Sequence, residues 1–193
     1  MRLTFSRQDN KVSFDNELLI LVNESDKEIG HKNKLACHQG NGILHRAFSI
    51  FIFNDAGKVL MQKRSSEKKL WPLFWSNSCC SHPRKGEKIE KATHRRMEEE
   101  LGFRTDLQFI FKFQYQANYL DIGSENELCS VYIGKSIAVV RPNKNEIEEW
   151  QYLSVQELDQ KIEDDPTQFT PWFKIEWQRM RTEFWPAIQT YLE

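Results

Sequence analysis

The sequence predicts one domain of α/β or α+β class, with strands outnumbering helices and helices on both sides of the chain centre. Three features point there. The chain has 193 residues, which suits one core better than two. From Arg46 to Phe53 the side chains are dense in Phe and Ile (Phe48, Ile50, Phe51, Ile52, Phe53), as in a strand covered on both faces. Residues 107–119 alternate with a period of two, whereas residues 89–101 and the segment after Pro171 carry helical spacing. With 13 Phe, 6 Trp and 5 Tyr the chain has ample apolar surface for a packed core, which excludes disorder.

Residues 1–15 are polar and read as an extension, which leaves residues 16–193 as the domain. Leu18 to Val22 is a strand, followed by a turn through Glu24-Ser25-Asp26-Lys27. After the buried strand, Asn54-Asp55-Ala56-Gly57 turns the chain into a second strand at Val59-Leu60-Met61. Residues 65–86 read as a long irregular loop, and Trp71, Phe74 and Trp75 mark it as ordered and functional. Ile89 to Leu101 is a helix closed by Gly102, the residue that adopts the left-handed cap most easily. In the alternating stretch Leu107, Phe109, Phe111, Phe113, Tyr115, Ala117 and Tyr119 share one face, and a partner strand spans Glu125 to Val140. Ser154 and Glu157 form a capping box for a short helix. Thr170-Pro171 opens a long C-terminal helix with Phe173, Trp177, Met180, Phe184, Ile188 and Tyr191 on one stripe, kinked or ended at Pro186.

Charge and composition exclude several functions. Lys and Arg number 27 against 28 Asp and Glu, a net charge of -1, so no global field holds the chain on nucleic acid or an anionic membrane. No apolar run reaches the ~18–20 residues of a membrane span, and the N-terminus lacks the apolar core of a secretory signal. Two of the four cysteines, Cys79 and Cys80, are adjacent, a poor disulfide framework. A reducing, cytoplasmic setting is expected, with the chain a monomer or weak homodimer.

Chemistry concentrates in a few residues. Glu125 and Glu127 stand two apart on a strand, so both carboxylates leave the same face ~7 Å apart and repel unless a cation or proton lies between them. His38, His45 and His82 lie in or beside loops, and with the two carboxylates they make a natural ligand set for a divalent ion such as Zn²⁺ or Mn²⁺. Through the helix runs a second pattern. Ser81 is followed after five residues by Glu87, and after seven more by Arg95-Arg96-Met97-Glu98-Glu99-Glu100-Leu101-Gly102-Phe103. It resembles the Nudix box, whose spacing it keeps throughout, and carboxylates presented from one helical turn suit Mg²⁺ holding a diphosphate. Ser81 stands where the box has Gly and Arg96 where it has Glu, a loss that argues against ordinary diphosphate hydrolysis.

The string Trp75-Ser76-Asn77-Ser78-Cys79-Cys80-Ser81-His82-Pro83 is similar to the active-site signature of type 1 isopentenyl-diphosphate isomerases, a Nudix-fold family. The similarity extends to Lys34, His38 and His45 upstream, to Arg64 through Pro72, to Tyr115, to Glu125 through Cys129, and to Thr170-Pro171-Trp172. It implies a mixed sheet sandwiched between helices. It further implies that His38, His45, His82, Glu125 and Glu127 hold a divalent ion, Mn²⁺, Zn²⁺ or Mg²⁺. Glu100 and the backbone carbonyl of Cys80 would hold a Mg²⁺ that bridges to the substrate. Lys34, Arg64, Lys68 and Ser81 would bind the diphosphate. Cys80 and Glu127 would be the catalytic pair, with Tyr115 beside Glu127 and Trp172 closing over the hydrocarbon end. On this reading Glu127 protonates the terminal CH₂ of isopentenyl diphosphate and Cys80 takes the proton from C2. His31 and His94 match no part of the signature, and Cys79 and Cys129 are read as small buried residues without a role in the chemistry.

Overall fold

The computed structural model describes residues 10–193. In chain order the elements are β1 (Leu18–Val22), β2 (Glu28–Asn33), α1 (Lys34–Cys37), β3 (His45–Phe53), β4 (Val59–Arg64), β5 (Trp75–Ser76), β6 (Cys79–Ser81), α2 (Ile89–Leu101), β7 (Leu107–Tyr119), β8 (Gly123–Lys135), β9 (Ile147–Leu153), α3 (Val155–Asp164), α4 (Pro171–Arg179) and α5 (Trp185–Leu192). A 3-10 turn at Pro166–Gln168 precedes α4, and a π-helical turn at Met180–Phe184 joins α4 to α5.

Strand β3 is the spine, and its alternation divides the core. Phe48, Ile50 and Ile52 pack against Ala92, Met97 and Leu101 of α2. Ala47, Phe51 and Phe53 pack against Phe173, Trp177 and Ile188 of the C-terminal helices. The sheet is thus sandwiched between helices. Phe48, Phe51 and Phe53 are fully enclosed, each gaining about 1.5–3 kcal/mol from its removal from water.

Register then positions side chains. β3 runs parallel to β8 from His45 opposite Glu127 to Phe53 opposite Lys135. β8 is antiparallel to β7, with Tyr115 opposite Glu127. On its other edge β3 pairs with β6, Ser49 opposite Cys80. His45, Glu127 and Tyr115 therefore form one row across three strands, and Cys80 lies four residues further along β3, in the row of Ser49 and Val131. The remaining pairs are antiparallel, which makes the sheet mixed.

Several expectations need correction. The turn after β1 leads into a further strand, β2, whose polar composition (Glu28-Ile29-Gly30-His31-Lys32-Asn33) hides it. Residues 65–86 contain the short strands β5 and β6, held in place by pairing with β4 and β3. In β7 a bulge between Phe109 and Phe111 breaks the alternation. Phe109 is half exposed against Tyr132, while Phe111, Phe113 and Tyr115 turn to the core. β8 begins at Gly123 and ends at Lys135, leaving Ile137 and Val139 exposed. The acidic strand β9 gave no apolar signal, because only its end residues Ile147 and Leu153 are buried. The C-terminal helix is interrupted by the π-helical turn, and Pro186, with no N–H to give, sits in the first turn of α5. The capping box stands as expected: Glu157 N–H donates to Ser154 Oγ at 3.2 Å and Ser154 N–H to Glu157 Oε2 at 2.7 Å. Gly102 takes φ 77°, and a Cβ there would lie 2.8 Å from Arg141 Cβ. No helix among the described residues is long and apolar enough to cross a membrane.

Candidate active site

One cavity of about 360 Å³ opens where α1, β6, β7, β8 and the N-terminus of α4 meet. Lys34, His38, Arg64, Lys68, Cys80, Ser81, His82, Tyr115, Glu125, Glu127 and Trp172 all line it. His45 lies fully buried behind that wall. Glu100 is brought near but not onto it, for the buried Arg96 lines the cavity in its stead.

At one end the three imidazoles converge, with ring centres 4.8 to 5.3 Å apart. One ligand atom from each of His38, His45, His82, Glu125 and Glu127 falls within 4.8 Å of all the others. His38 Nδ1 faces the Lys34 carbonyl and His45 Nδ1 the Ile43 carbonyl, each at 2.7 Å. Those bonds place the proton on Nδ1 and turn each Nε2 lone pair inward. His38 Nε2 meets Glu125 Oε2 at 2.8 Å, and His82 Nε2 meets Glu127 Oε1 at 2.7 Å. His45 Nε2 is buried with no hydrogen-bond partner, 3.6 Å from Glu127 Oε1. Burial and the neighbouring His45 and His38 rings hold His82 well below the usual imidazole range, in the neutral form a metal needs. The orphaned His45 nitrogen, the neutral His82 and the Glu125 and Glu127 carboxyl groups together are a donor set that a divalent cation satisfies. Gly123 allows this approach: its backbone passes so near His38 that a Cβ would lie 2.5 Å from the His38 carbonyl oxygen.

Beside the cluster lie the groups suited to moving protons. Tyr115 donates to Glu127 Oε2 at 2.6 Å. Burial works to raise the Glu127 pKa, but the His45 imidazole, the Tyr115 hydroxyl and His38 outweigh it and hold the carboxyl below its usual range. Burial pushes the Cys80 thiol up to about 12 against the pull of Arg64, whose Nη1 lies 4.0 Å from the sulfur. Trp172 is buried above the pair, with its ring 6.2 Å from that of Tyr115 and 5.2 Å from the Arg64 guanidinium. Arg64 is held by the carbonyls of Trp71 at 3.0 Å and Leu70 at 2.9 Å. That grip holds the loop in place while Trp71 and Leu73 take left-handed backbone angles of 47° and 63°.

The other end is basic. Burial, then the nearby charges of Lys68 and Arg96, bring the Lys34 pKa down to about 8. Its ammonium donates to Ser13 Oγ at 2.5 Å. Lys68 is ion-paired with Glu146. Arg96 binds Glu100 at 2.5 Å and Glu146 at 3.1 Å, so the residue that departs from the box neutralises two buried carboxylates. Glu146 is held down at about 2, burial being outweighed by Lys68 and Arg96. Three contributions escaped the sequence reading. Arg96 was visible only as a departure, Glu146 sits in an acidic run with no distinguishing neighbour, and Lys11, Ser13 and Asp15 belong to the segment read as a mere extension. That segment crosses the basic end, where Arg96 Nη1 donates to the Val12 carbonyl at 3.1 Å. Residues 1–9 of the expected extension lie outside the described residues.

With this geometry in view, the comparisons with known proteins are specific. A family profile described as the NUDIX domain matches residues 43–173. Isopentenyl-diphosphate Delta-isomerase 1 of Photorhabdus laumondii is 41% identical over 163 residues, which span 83% of this chain and 93% of that protein. An isopentenyl-diphosphate delta-isomerase of Gibberella zeae is 33% identical over 96% of this chain and 82% of its own length. The chain belongs to the isopentenyl-diphosphate isomerase family. The Nudix architecture recurs in solved structures too distant to speak to activity. A Deinococcus radiodurans protein gives a TM-score of 0.64 at 24% identity, covering 77% of this chain and 90% of its own. A MutT protein of Methanosarcina mazei gives 0.60 at 16% identity, covering 72% and 94%.

Proposed function

We propose that this protein interconverts isopentenyl diphosphate and dimethylallyl diphosphate, and that Cys80 and Glu127 carry the protons. The observation that carries the reading is a thiol and a tyrosine-bonded carboxylate in one cavity, with a metal-competent cluster behind them and cations at the far end. Moving the double bond takes a proton to the terminal CH₂ and a proton away from C2, with a tertiary carbocation or something near it between the two. An alkene is a feeble base, so the acid must be positioned and water kept out. Glu127 gives the proton to the terminal carbon, Tyr115 orients that carboxyl group, and Cys80 accepts the proton leaving C2. The resting protein holds the pair as thiol and carboxylate, so a proton passes from Cys80 to Glu127 before the forward transfer, which then restores that state; the return reaction starts from the resting pair directly. Trp172 offers its π face to the developing cation, a contribution of about 0.5–2 kcal/mol.

Lys34, Arg64, Lys68 and Ser81 bind the diphosphate at the basic end. A divalent ion held by His38, His45, His82, Glu125 and Glu127 would supply fixed positive charge beside the Glu127 carboxyl; Zn²⁺, Mn²⁺ and Mg²⁺ all suit the donors. Glu100 and the Cys80 carbonyl would hold a Mg²⁺ bound with the diphosphate, with Glu100 exchanging its Arg96 partner for the ion. The same reading makes the substrate a small diphosphate rather than nucleic acid or membrane, and the four free cysteines suit the reducing cytoplasm.

The test is proton NMR of the protein with isopentenyl diphosphate and divalent metal in D₂O, beside Cys80→Ala and Glu127→Gln. The native chain should form dimethylallyl diphosphate and take up deuterium, and each variant should lose about 10²–10⁴-fold in turnover. Release of inorganic phosphate without isomer would make it a hydrolase, and native-like turnover in either variant would remove the proton-transfer pair.

A further inference from the structure

One buried ionisable group lies outside the chemistry just described. Helix α4 points Trp172 at the cavity and, one turn later on the same face, places Glu176 beneath it. Glu176 is fully enclosed. Its Oε1 accepts from Cys129 Sγ at 3.6 Å, Cys129 Sγ also lies 3.5 Å from Ser49 Oγ, and the Ser49 hydroxyl stands beside the same carboxyl group. Oε2 has no partner, and no Lys, Arg or His among the described residues forms an ion pair with Glu176.

The two partners are telling. Cys129 follows Glu127 by two residues and shares its face of β8, while Ser49 is the residue of β3 directly opposite Cys80. Glu176 thus touches the residue behind each member of the proposed catalytic pair. A carboxylate enclosed without a cation would bear its full desolvation cost, whereas a neutral carboxyl group offers both an O–H and a C=O to its neighbours. Burial accordingly pushes its pKa up to about 8.

We infer that Glu176 is a positioning residue of this active site, a neutral carboxyl group that ties α4 to Ser49 and Cys129 and so fixes the strands presenting Cys80 and Glu127. When ionised it would set a negative charge beneath the pair. The titratable groups facing it are Cys129 and Glu127 of β8 and Cys80 of β6, and β3 adds only the Ser49 hydroxyl.

This inference rests on the Cys80–Glu127 assignment, and the experiment separates the two. Saturating kcat is measured from pH 7 to 9 for the native protein, Glu176→Gln and Glu176→Leu, with Cys80→Ala and Glu127→Gln run alongside. The native kcat should fall about tenfold across that range, as Glu176 passes from mostly neutral to mostly ionised. Glu176→Gln should match the native kcat within about twofold at pH 7 and show no alkaline fall. Glu176→Leu should lose about tenfold in kcat at every pH with KM unchanged. An alkaline fall that persists in Glu176→Gln, or full activity in Glu176→Leu, overturns the inference. If Glu176→Leu does not fold, the Glu176→Gln profile alone decides. Active Cys80→Ala or Glu127→Gln would instead bring down the underlying assignment.

Discussion

The two ends of the cavity are built differently. At the imidazole end, His45, His82, Glu125 and Glu127 stand on or directly beside β3, β6 and β8, so ladder register sets their spacing before any side chain adjusts. At the diphosphate end, Lys34, Arg64, Lys68, Arg96 and Ser13 come from a one-turn helix, a strand end, a loop, α2 and the segment before β1. There, ion pairs supply the order that a ladder supplies at the first end: Lys68 with Glu146, and Arg96 with Glu100 and Glu146. Rigid backbone suits a ligand set that must fit an ion within tenths of an ångström. Exchangeable charge pairs suit a site where an anion arrives and leaves.

That contrast can be broken by experiment. The largest effect belongs to the imidazole end. Treatment with a chelator should abolish turnover until a divalent ion is returned, and His45→Ala should weaken metal binding by more than about 100-fold in calorimetry. Undiminished affinity in that variant would mean the ladder holds no metal. At the basic end, Arg96→Ala strands the buried Glu100 carboxylate and leaves Glu146 to Lys68 alone, and should cost about 3–5 kcal/mol in chemical denaturation. A loss within a few tenths would show that the pairs are ornamental and the loops hold themselves. Next comes Lys34, which is charged below a pKa of about 8 and loses its charge as pH rises through that value. KM should then rise toward tenfold per pH unit above that point, a rise that Lys34→Gln flattens. The smallest effect is that of Ser13→Ala, which removes one hydrogen bond worth about 0.5–1.5 kcal/mol and should change KM by about two- to tenfold with kcat unmoved. An unchanged KM would exclude the segment before β1 from binding.

The same contrast explains what could be read in the chain. His38, His45, His82, Glu125 and Glu127 were legible because strand periodicity and motif spacing dictate where they point, and the structure gathers them within one small radius. The buried spine of β3 and the helix ending at Gly102 were legible for the same local reasons. Glu146 and Ser13 were not. Each is an ordinary polar residue whose role comes from a partner 78 and 21 positions away, and no local pattern carries that information. Phe109 misled because a bulge adds a residue without leaving a mark on the alternation before it. Glu100 was placed on the right turn of α2, but the guanidinium that covers it depended on a substitution read only as a loss.

The parallel pairing of β3 with β8 also sets where this lineage can change length. His45, Ala47, Ser49 and Phe51 share a face only because nothing is inserted among them. A single added codon between Arg46 and Phe48 would turn the downstream part of the strand over, sending Ser49 toward α2 and Phe48 toward the Glu176 carboxyl. Insertions and deletions are therefore expected to accumulate in the exposed turn at Asn54–Lys58 and in the segment after Lys135, and to be purged from the spine.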